Sequence, residues 1–576
     1  MYTTNKLKTT NFIAILAVSI ILIIPQLVTK NMIIGSDSIF HFNRFYETSE
    51  QIRNGNFSYF ISLYGFQQSG RIVNAFYSPF FAYLHGLIVL LSKNWFMYQV
   101  LSNLILFIIA GTSMNIFLKK GGLDNTKCLF GSILFMTTFS IQYWVTRQGF
   151  SSWGAAFIPL CLSVIFELNN TGKIPKYKLG IYTALMFQVH ILSSLILVIT
   201  YTPIFLYSFL KDNKKYQFIL SLLKEIFLFF ILTANMWVSY LFIAKENELI
   251  APFINTSMSS NTINQNSYYW LLNPVFLPLI IIFTIGKFIY LWRETNIFNK
   301  LLVSIAVFFL ILSTSIIPWN TLIEHNVKFA EYIQFPFRFF VPVTILIIYL
   351  FLSVCNFKKF YNLLIVICIT QSIFLMLATL KNWDNDTKYI ASGEKTLIDT
   401  SLTPEEIKNS FFIKDKNKSL VYLQKTTPDY LPLYRRTNVN NYELYGTEII
   451  EKNNDFKKSV AKGSMSIQIL TESKGYVEYP IIIYKDTKLT QDGQLLNHDK
   501  LKLSPIGSPT IFVNNNEDSK LVIDFQPSKT VVFTVIISLI SWISIFVIKL
   551  FVYLRDHWNI RSEIMLRIKR IGSKKH

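Results

Sequence analysis

The sequence Gly35-Ser-Asp-Ser-Ile-Phe-His-Phe-Asn-Arg-Phe45 follows the first long apolar run of the chain. As a helix turning about 100° per residue, it places Asp37, His41 and Arg44 within about 40° of one another. Ser36 is a candidate N-cap for this helix. Apolar side chains fall on the opposite side: Ile39, Phe42 and Tyr46. We therefore predict an amphipathic helix at the membrane boundary, with a carboxylate, an imidazole and a guanidinium on its polar side.

Composition places the chain among polytopic α-helical membrane proteins. Of its 576 residues, 52% are hydrophobic and only 15% are charged, whereas soluble proteins carry about 25% charged residues. Apolar runs of about 18 to 22 residues recur, which is the length that crosses a bilayer. No small-residue cleavage site follows the first run, 12–28, so we expect an uncleaved first span.

The net charge of +21 lies mostly in short loops and in a basic tail, 555–576. Membrane topology and contact with anionic lipid explain this pattern. We expect membrane lipid as a partner and no nucleic acid. The four cysteines lie in or beside apolar runs, with neither disulfide nor metal-ligand spacing: Cys128, Cys161, Cys355 and Cys368.

Twelve apolar segments are candidate transmembrane spans. They lie at about residues 11–29, 96–117, 126–145, 151–168, 178–192, 194–210, 221–244, 271–291, 300–317, 338–355, 360–380 and 528–552. A further segment, 77–91, is ambiguous because it has only about 15 residues, with His85 and Gly86 in its middle.

The distribution of Lys and Arg decides whether 77–91 crosses. If it does not cross, the short loops on the side of the N-terminus hold most basic residues: Lys119, Lys120, Lys127, Lys173, Lys176, Lys178, Lys211, Lys214, Lys215, Lys224, Lys287, Arg293, Lys300, Lys358 and Lys359. The opposite short loops hold few: Arg147, Lys245, Lys328 and Arg338. The positive-inside rule therefore predicts about twelve spans, with the N-terminus and the tail cytoplasmic. The first external loop, 30–95, would then carry two juxtamembrane helices, at about 36–53 and 76–91.

Several polar side chains fall on or near the external face in this topology: Asp37, His41, Arg44, Arg147, His190, Glu324, His325, Glu331 and Arg338. Taken singly, each has a plain structural explanation, because interfacial polar residues often snorkel or cap. Ionisable residues at membrane depth are costly, however, and usually face a cavity or a pathway. Their convergence on one face indicates a functional site there.

The segment 381–526 is the one large polar region and is external in this topology. Thr403-Pro-Glu-Glu406 predicts a capped short helix. From about Ser464 onward, alternation predicts strands of a sandwich-like, mainly-β domain, with turns at Asp492-Gly493 and 514–518. The predicted parts of the chain are a transmembrane domain (1–380), the external domain (381–526), a last span (527–552) and a basic cytoplasmic tail (553–576).

The polar residues suit transfer of a group from a lipid phosphate to a hydroxyl. Asp37 suits a general base, because it begins a helix beside donors that tune its pKa. Arg44, Arg147 and Arg338 suit the departing phosphate, since a guanidinium binds phosphate oxygens bidentately and stays charged. His41 is a second acid–base group, a metal ligand or an orienting partner, because spacing identifies no third metal ligand.

The order of these features resembles the GT-C superfamily of polyprenyl-phosphate-dependent glycosyltransferases. In that superfamily a carboxylate follows the first span, and the first external loop carries two juxtamembrane helices. Tyr77-Ser-Pro-Phe-Phe-Ala-Tyr-Leu84 resembles the Tyr-x-Pro-containing second juxtamembrane helix of the aminoarabinose- and mannosyl-transferase branches.

The chain resembles two bacterial membrane protein groups more closely. One is the YfhO-like family, linked to glycosylation of cell-surface polymers, and the other is called "6-pyruvoyl-tetrahydropterin synthase-related". The matching elements occur in the expected order over nearly the whole chain: Gly35 to Arg44, Phe76-Tyr-Ser-Pro-Phe80, Gln334-Phe-Pro-Phe-Arg-Phe339, Asp429-Tyr-Leu-Pro432, and Gly475 to Tyr484 followed by Asp492-Gly493.

The resemblance implies that Asp37 is the catalytic carboxylate and that Arg338 faces the same cavity. We include His41 as the second catalytic candidate. The candidate set for binding the substrate or its phosphate is Arg44, Arg147, His190, Glu331, Gln334 and Arg338. Asp37 lacks the adjacent acidic partner of a paired-carboxylate metal site, so we expect metal-independent catalysis, with Mg²⁺ or Mn²⁺ as the alternative.

The function that follows is an inverting transfer of a sugar from a polyprenyl-phosphate donor to a cell-envelope polymer, a teichoic acid or a surface polysaccharide. It would take place on the outer face of a bacterial plasma membrane. A transporter or flippase of lipid-linked saccharides would spread charges through several spans and often show a repeat, and no repeat is visible. A polymerase or ligase would carry its arginines in a large late external loop, and 381–526 keeps that alternative open. A scaffold for envelope assembly would use the polar cluster only to line solvent.

Overall fold

The computed structural model describes residues 2–385, 396–399, 401–470, 474–513 and 520–572. The helices are α1 (Tyr2–Thr29), α2 (Ser38–Asn54), α3 (Pro79–Leu91), α4 (Trp95–Lys120), α5 (Asn125–Thr137), α6 (Phe139–Arg147), α7 (Ser151–Leu162), α8 (Val164–Thr171), α9 (Lys178–Val189), α10 (Ile191–Lys211), α11 (Lys215–Glu246), α12 (Leu277–Tyr290), α13 (Ile297–Leu312), α14 (Trp319–Glu324), α15 (Lys328–Ile333), α16 (Phe340–Val354), α17 (Lys358–Leu380), α18 (Pro404–Ser410), α19 (Lys416–Tyr422), α20 (Asn441–Tyr445) and α21 (Lys529–Gly572). The strands are β1 (Thr396–Ile398), β2 (Leu423–Lys425), β3 (Phe456–Ala461), β4 (Ser464–Ile469), β5 (Gly475–Glu478), β6 (Thr487–Gln491), β7 (Gln494–Leu495), β8 (Lys502–Leu503), β9 (Pro509–Val513) and β10 (Leu521–Phe525).

Within the described residues, nine helical segments are long and apolar enough to cross a membrane, some of them made of two consecutive helices. They are Thr10–Thr29, Trp95–Lys120, Asn125–Arg147, Ser151–Thr171, Ile191–Lys211, Lys215–Glu246, Pro336–Val354, Lys358–Trp383 and Lys529–Arg555. Helices α3, α12 and α13 are apolar but shorter, and the 12 residues of α9 reach only about 18 Å. The predicted helical chain with many membrane-length segments is confirmed at this level, whereas the count of twelve spans stays a prediction.

The helices meet at two distinct ends. At one end, the loops rich in lysine come together, as in the ion pair of 3.2 Å between Lys358 and Asp124. At the other end, α4 begins beside the later polar region, where Trp95 Nε1 donates to the carbonyl of Lys416 at 2.9 Å. The beginning of α4 and the segment around Lys416 therefore lie at the opposite end of that helix from Lys358 and Asp124.

The two helices predicted in the first loop are present as α2 and α3, and they pack against each other. A Cβ on Gly86 of α3 would lie 2.3 Å from Thr48 Oγ1 and 2.9 Å from the Ser49 amide of α2. The absence of a side chain at Gly86 thus permits the close crossing of the two helices.

The predicted amphipathic helix is present as α2, but the protein covers its polar side as well as its apolar side. From Ser38 to Gln51 almost every side chain is buried. Its polar side is covered because backbone groups of the first loop bind there; Glu47, for example, accepts from the amides of Leu63 at 2.9 Å and Gly65 at 2.7 Å. A pattern of polar residues shows which face needs hydrogen bonds, but the partners here are protein and not water.

The predicted N-cap is also wrong. The Ser38 amide donates to the carbonyl of Gly35 at 3.1 Å, which closes a turn around Ser36 and Asp37. The N-cap position is occupied by Asp37, one residue later than predicted, and no side chain caps the helix. Ser36 offers only its carbonyl, which accepts from Lys425.

The C-terminal β-rich region is confirmed. Antiparallel strands form one sheet in the order β3-β4-β10-β6-β7 and another in the order β5-β9-β8. Inward side chains of both sheets share one hydrophobic core, including Met465 and Ile511, and Phe60, Leu63 and Ile72 of the first loop join it. The first loop is therefore packed into the β-rich region.

Local predictions in this region are largely confirmed. Thr403 and Glu406 form the expected capping box, with the Glu406 carboxylate accepting from the Thr403 amide at 2.8 Å. Asp492 and Gly493, at φ 51° and 84°, form the tight turn between β6 and β7. The turn predicted at 514–518 lies outside the described residues. The basic tail continues α21 as far as Gly572.

Three consecutive residues of the first loop, Phe66–Gln68, have left-handed φ values of 52° to 58°. Such a turn is strained and persists only when its surroundings fix it. Lys458 of β3 does so, because its buried ammonium donates to the carbonyls of Gln67 at 2.8 Å, Gln68 at 3.2 Å and Pro480 at 2.9 Å. The β-rich region thus holds the loop in its shape.

A serine side chain of α21 interrupts the backbone hydrogen bonding of α11. Ser538 Oγ donates to the carbonyl of Ile231 at 2.8 Å and accepts from the Asn235 amide at 3.1 Å. These are the two groups that would otherwise bond each other within the helix. The Asn235 side chain also binds Gln188 at 2.7 Å and Tyr59 at 3.1 Å, so four segments meet at this opened turn.

Candidate active site

Asp37 lies at the edge of the first loop, where Gly35 brings the backbone against another helix. A Cβ on Gly35 would lie only 1.9 Å from the carbonyl oxygen of Arg147. The Asp37 side chain is 55% exposed, and its Oδ1 lies 3.8 Å from Nζ of Lys425 on β2. The Asp37 carboxylate is therefore accessible and within ion-pair distance of one lysine.

The guanidinium of Arg44 is buried, and its N–H groups donate hydrogen bonds to other parts of the protein. Nε donates to Asn74 Oδ1 at 3.1 Å, Nη1 to His41 Nδ1 at 3.2 Å, and Nη2 to the carbonyl of Tyr77. The Tyr77 ring lies over the guanidinium, 4.2 Å from its carbon. Burial lowers the pKa of Arg44 to about 10, so the group stays charged at neutral pH. The structure thus places Arg44 as an internal cation, with few donors left for a phosphate.

His41 is a neutral imidazole. A guanidinium can only donate, so Nδ1 of His41 accepts from Arg44 and the ring proton lies on Nε2. Burial and then the charge of Arg44 lower the pKa of His41 well below its usual value. The ring stacks on Phe150, with 4.6 Å between centroids. His41 is therefore positioned to orient Arg44 and Phe150, and it does not carry a proton to donate as an imidazolium.

Tyr77 lies where the charged groups meet. Burial raises the pKa of Tyr77; the charges of Arg44 and Arg338 lower it, and the carboxylates of Asp37 and Asp429 raise it. Arg44 lies in α2 and Asp37 just before it, whereas Arg338 precedes α16 and Asp429 follows β2. Charges from distant parts of the chain therefore act on the Tyr77 phenol, and Arg44 among them lies over its ring.

His190 joins the same group from the turn between α9 and α10. Its backbone is extended, and its Nδ1 accepts from the Ser193 amide at 3.2 Å, which caps α10. The ring proton therefore lies on Nε2. The ring centroid lies 6.5 Å from that of Tyr77, so His190 is close enough to add a neutral N–H donor to the site.

Arg338 lies on a single 3-10 turn, Pro336–Phe339, at the start of α16. Its Nη1 donates to the carbonyl of Ile333 at 2.8 Å and to Gln334 Oε1 at 3.1 Å. Its Nε is buried and, among the described residues, has no hydrogen-bond partner. Gln334 therefore supports Arg338, and the unsatisfied Nε marks Arg338 as a cation with a donor to spare.

Two other predicted residues are placed differently. Arg147 is exposed and donates to the hydroxyl of Tyr269 at 3.0 Å, and its backbone carbonyl is the group against which Gly35 packs. Glu331 forms an ion pair of 2.8 Å with Lys328 on its own short helix. The structure does not bring Glu331 into contact with the other predicted site residues.

Sequence reasoning missed two members of the group. Lys425 is a single lysine in a polar segment, and no local pattern marks it. Asp429 was noted only as part of a motif, without a role. Both depend on contacts across more than three hundred residues of sequence, as in the bond from Lys425 to Ser36, which periodicity does not encode.

An apolar groove of about 850 Å³ begins next to His190 and runs between α9, α10 and α11. Ile191 and Ser194 line it at the His190 end, and Phe209 and Phe218 line it at the far end. Along α10 this distance is about 27 Å. The groove is apolar along this length. Within the described ranges no three His, Cys, Asp or Glu side chains converge to hold a metal ion.

No protein-family model matches the chain, and neither does any curated protein or solved structure. Function therefore has to be argued from the geometry and chemistry of the site's own side chains.

Proposed function

We propose that the protein is a GT-C type membrane glycosyltransferase of about twelve spans, which transfers a sugar from a polyprenyl-phosphate donor to a hydroxyl of a cell-envelope polymer. The reaction would occur on the external face of a bacterial plasma membrane, with the N-terminus and the tail in the cytoplasm. The observation that carries the proposal is the position of Asp37. This accessible carboxylate lies 3.8 Å from Lys425, and its charge acts on Arg338. The charge of Arg338 also acts on His190, the residue before Ile191, which lines the apolar groove.

Each part of the site has a role in an inverting transfer. Asp37 takes the proton of the acceptor hydroxyl while the oxygen of that hydroxyl bonds to the anomeric carbon of the sugar. The bond from that carbon to the phosphate oxygen breaks on the opposite side, and polyprenyl phosphate leaves. Arg338 and Lys425 stabilise the charge on the leaving phosphate, and His190 Nε2–H donates to it.

Arg44 and His41 have a supporting role in this arrangement. The buried cation fixes Tyr77 and His41 through hydrogen bonds and ring contacts. The groove beside His190 suits the isoprenoid of the donor, because a chain lying there would have its phosphate near Arg338 and His190. Membrane lipid would occupy the groove when no donor is bound.

The test is transfer by the purified full-length protein in liposomes. Polyprenyl-phosphate-linked [¹⁴C]glucose, galactose and N-acetylglucosamine serve as donors, with poly(glycerol phosphate) teichoic acid and a neutral surface polysaccharide as acceptors. Asp37→Asn should lower kcat by about 100- to 10,000-fold without changing insertion. Glu324→Gln, which changes an exposed carboxylate of the α14 segment, should transfer at the wild-type rate.

Asp37→Asn transferring at the wild-type rate would contradict the assignment of the base. Label that crosses the membrane without being transferred would instead indicate a flippase. If the wild-type protein neither moved the label across the membrane nor transferred it, only a structural role in envelope assembly would remain.

A further inference from the structure

Gln334, four residues before Arg338, has a backbone conformation that is rare for a residue with a side chain. Its φ and ψ are 60° and −44°, and across it the Phe335 amide donates to the carbonyl of Ile333 at 2.6 Å. A hydrogen bond that spans one residue with positive φ and negative ψ defines a γ-turn of the strained kind. Such strain persists only where the surrounding structure fixes it, and it is typical of functional segments.

The γ-turn is built against the guanidinium of Arg338. The Ile333 carbonyl that closes the turn also accepts from Arg338 Nη1 at 2.8 Å, and Gln334 Oε1 accepts from the same nitrogen at 3.1 Å. The ring of Phe335 lies 5.0 Å from the guanidinium carbon. All three residues of the turn therefore contact Arg338. Both acceptors bind Nη1, and the buried Nε has no hydrogen-bond partner within the described ranges.

A second loop holds the γ-turn from outside. Asn255 lies between α11 and α12 and is only 5% exposed. Its Nδ2 donates to the carbonyl of Gln334 at 2.8 Å and to Asn261 Oδ1 at 2.8 Å, and its Oδ1 accepts from the Ser257 amide at 3.0 Å. Nearby, the carbonyl of Phe253 accepts from Gln334 Nε2. The same loop thus binds both the main chain and the side chain of the strained residue.

We propose that Asn255 is a positioning residue for Arg338, which fixes the γ-turn at Gln334 so that Arg338 presents its Nε–H to the phosphate of the polyprenyl-phosphate donor. The inference rests on the proposed function, which assigns Arg338 to that phosphate. A guanidinium is planar and binds phosphate oxygens through a fork of fixed geometry. Its orientation therefore decides how many of these hydrogen bonds form. Asn255 acts only through Gln334 and takes no part in proton transfer.

The chain offers a matched pair of asparagines for the test. Asn255→Asp removes the donor that binds Gln334 and keeps an oxygen that can accept from the Ser257 amide. Asn264 lies in the same stretch between α11 and α12 and also ties it to another loop: its Oδ1 accepts from the Ser315 amide at 3.0 Å, and its Nδ2 donates to the Ser315 hydroxyl at 2.8 Å. Asn264→Asp is therefore the same chemical change, made at a contact with Ser315 instead of Gln334.

The experiment is equilibrium binding of ³²P-labelled polyprenyl phosphate to the purified full-length protein in detergent, with ³H-labelled polyprenol as the uncharged second ligand. Asn255→Asp should raise the Kd for polyprenyl phosphate about three- to tenfold, the equivalent of roughly one hydrogen bond, and leave the Kd for polyprenol within about twofold of wild type. Asn264→Asp should alter neither Kd. A merely structural disturbance would weaken both ligands alike, because they share the hydrocarbon and differ only in the phosphate.

An unchanged Kd for polyprenyl phosphate in Asn255→Asp, or an equal loss for both ligands, would overturn the inference, whereas transfer by the wild type would still support the proposed function. If Asn255→Asp does not fold, Gln334→Gly replaces it, because glycine adopts a positive φ readily and the variant lacks the side chain that Arg338 binds. The same selective loss is expected there. Absence of transfer by a wild-type protein that binds polyprenyl phosphate would contradict the proposed reaction and not the role of Asn255.

Discussion

Gly35 decides where the Asp37 carboxylate lies. The backbone around it touches the carbonyl of Arg147, so that even a methyl group would overlap: the nearest oxygen is 1.9 Å and the nearest carbon 2.5 Å from a Cβ. Both atoms belong to backbone, which cannot rotate away as a side chain can. Asp37, two residues later, inherits its position from this contact.

Gly35→Ala should therefore destabilise the protein by about 1–3 kcal/mol, the range for a group forced into a packed site, and lower the transfer rate. The midpoint of thermal unfolding in detergent measures the first effect. Gly286→Ala in α12 is the matched control, since no atom lies within 4 Å of its Cβ, and alanine should stabilise that helix by about 0.5–1 kcal/mol. Equal midpoints for wild type and Gly35→Ala would show that the contact is not tight.

Arg44 shows how far a residue's role can be predicted from sequence. Helical spacing correctly brings it beside His41. The partners that consume its remaining donors, Asn74 and the carbonyl of Tyr77, come from a loop thirty residues away. Spacing therefore predicts the neighbour but not the burial, and burial is what makes Arg44 an internal support and not a surface cation.

At the scale of elements, the joint between α11 and α21 differs most from an ordinary helix pair. The Ser538 hydroxyl binds the Ile231 carbonyl and the Asn235 amide in place of the backbone hydrogen bond between them. Trp542 Nε1 donates to the neighbouring carbonyl of Leu232 at 2.9 Å. Inserted side chains of this kind bend helices. Because α11 also lines the groove, the last helix fixes the shape of one groove wall.

Ser538→Val should destabilise the protein by about 1–3 kcal/mol, because the Asn235 amide and the Ile231 carbonyl lose their partner in an apolar setting. Thr534→Val on the same helix is the control, since its hydroxyl binds only the carbonyl of Val531 at 2.8 Å. Thermal unfolding of both variants in detergent gives the comparison. An unaltered midpoint in Ser538→Val would mean that α11 closes its own turn when the hydroxyl is removed.

The whole molecule has a polar end and a lysine-rich end, and the charge bias predicts which one faces outward. Periodicity and apolar length were enough to find the long helices, the pair α2 and α3, and the later strands. They were not enough to find that the first loop shares a hydrophobic core with the β-rich region. That contact joins Ile72 to Tyr484, 412 residues later, and no local pattern carries such information.

Cysteine labelling tests the orientation. In a chain whose four buried cysteines are replaced, Tyr476→Cys, at a side chain that is 78% exposed, should react with an impermeant maleimide in intact cells. Asn170→Cys, at the exposed end of α8, should react only after the membrane is permeabilised. The opposite labelling pattern would invert the topology and move Asp37 to the cytoplasmic side.

The left-handed turn at Phe66–Gln68 also sets an order in time. Its support, Lys458, is separated from Gln67 by 391 residues. At about 5–20 residues per second during synthesis, roughly 20–80 s pass before the supporting lysine exists. Throughout that interval the first loop lacks this partner. A ribosome that stalls before residue 458 would thus leave the first loop without the lysine that fixes its turn.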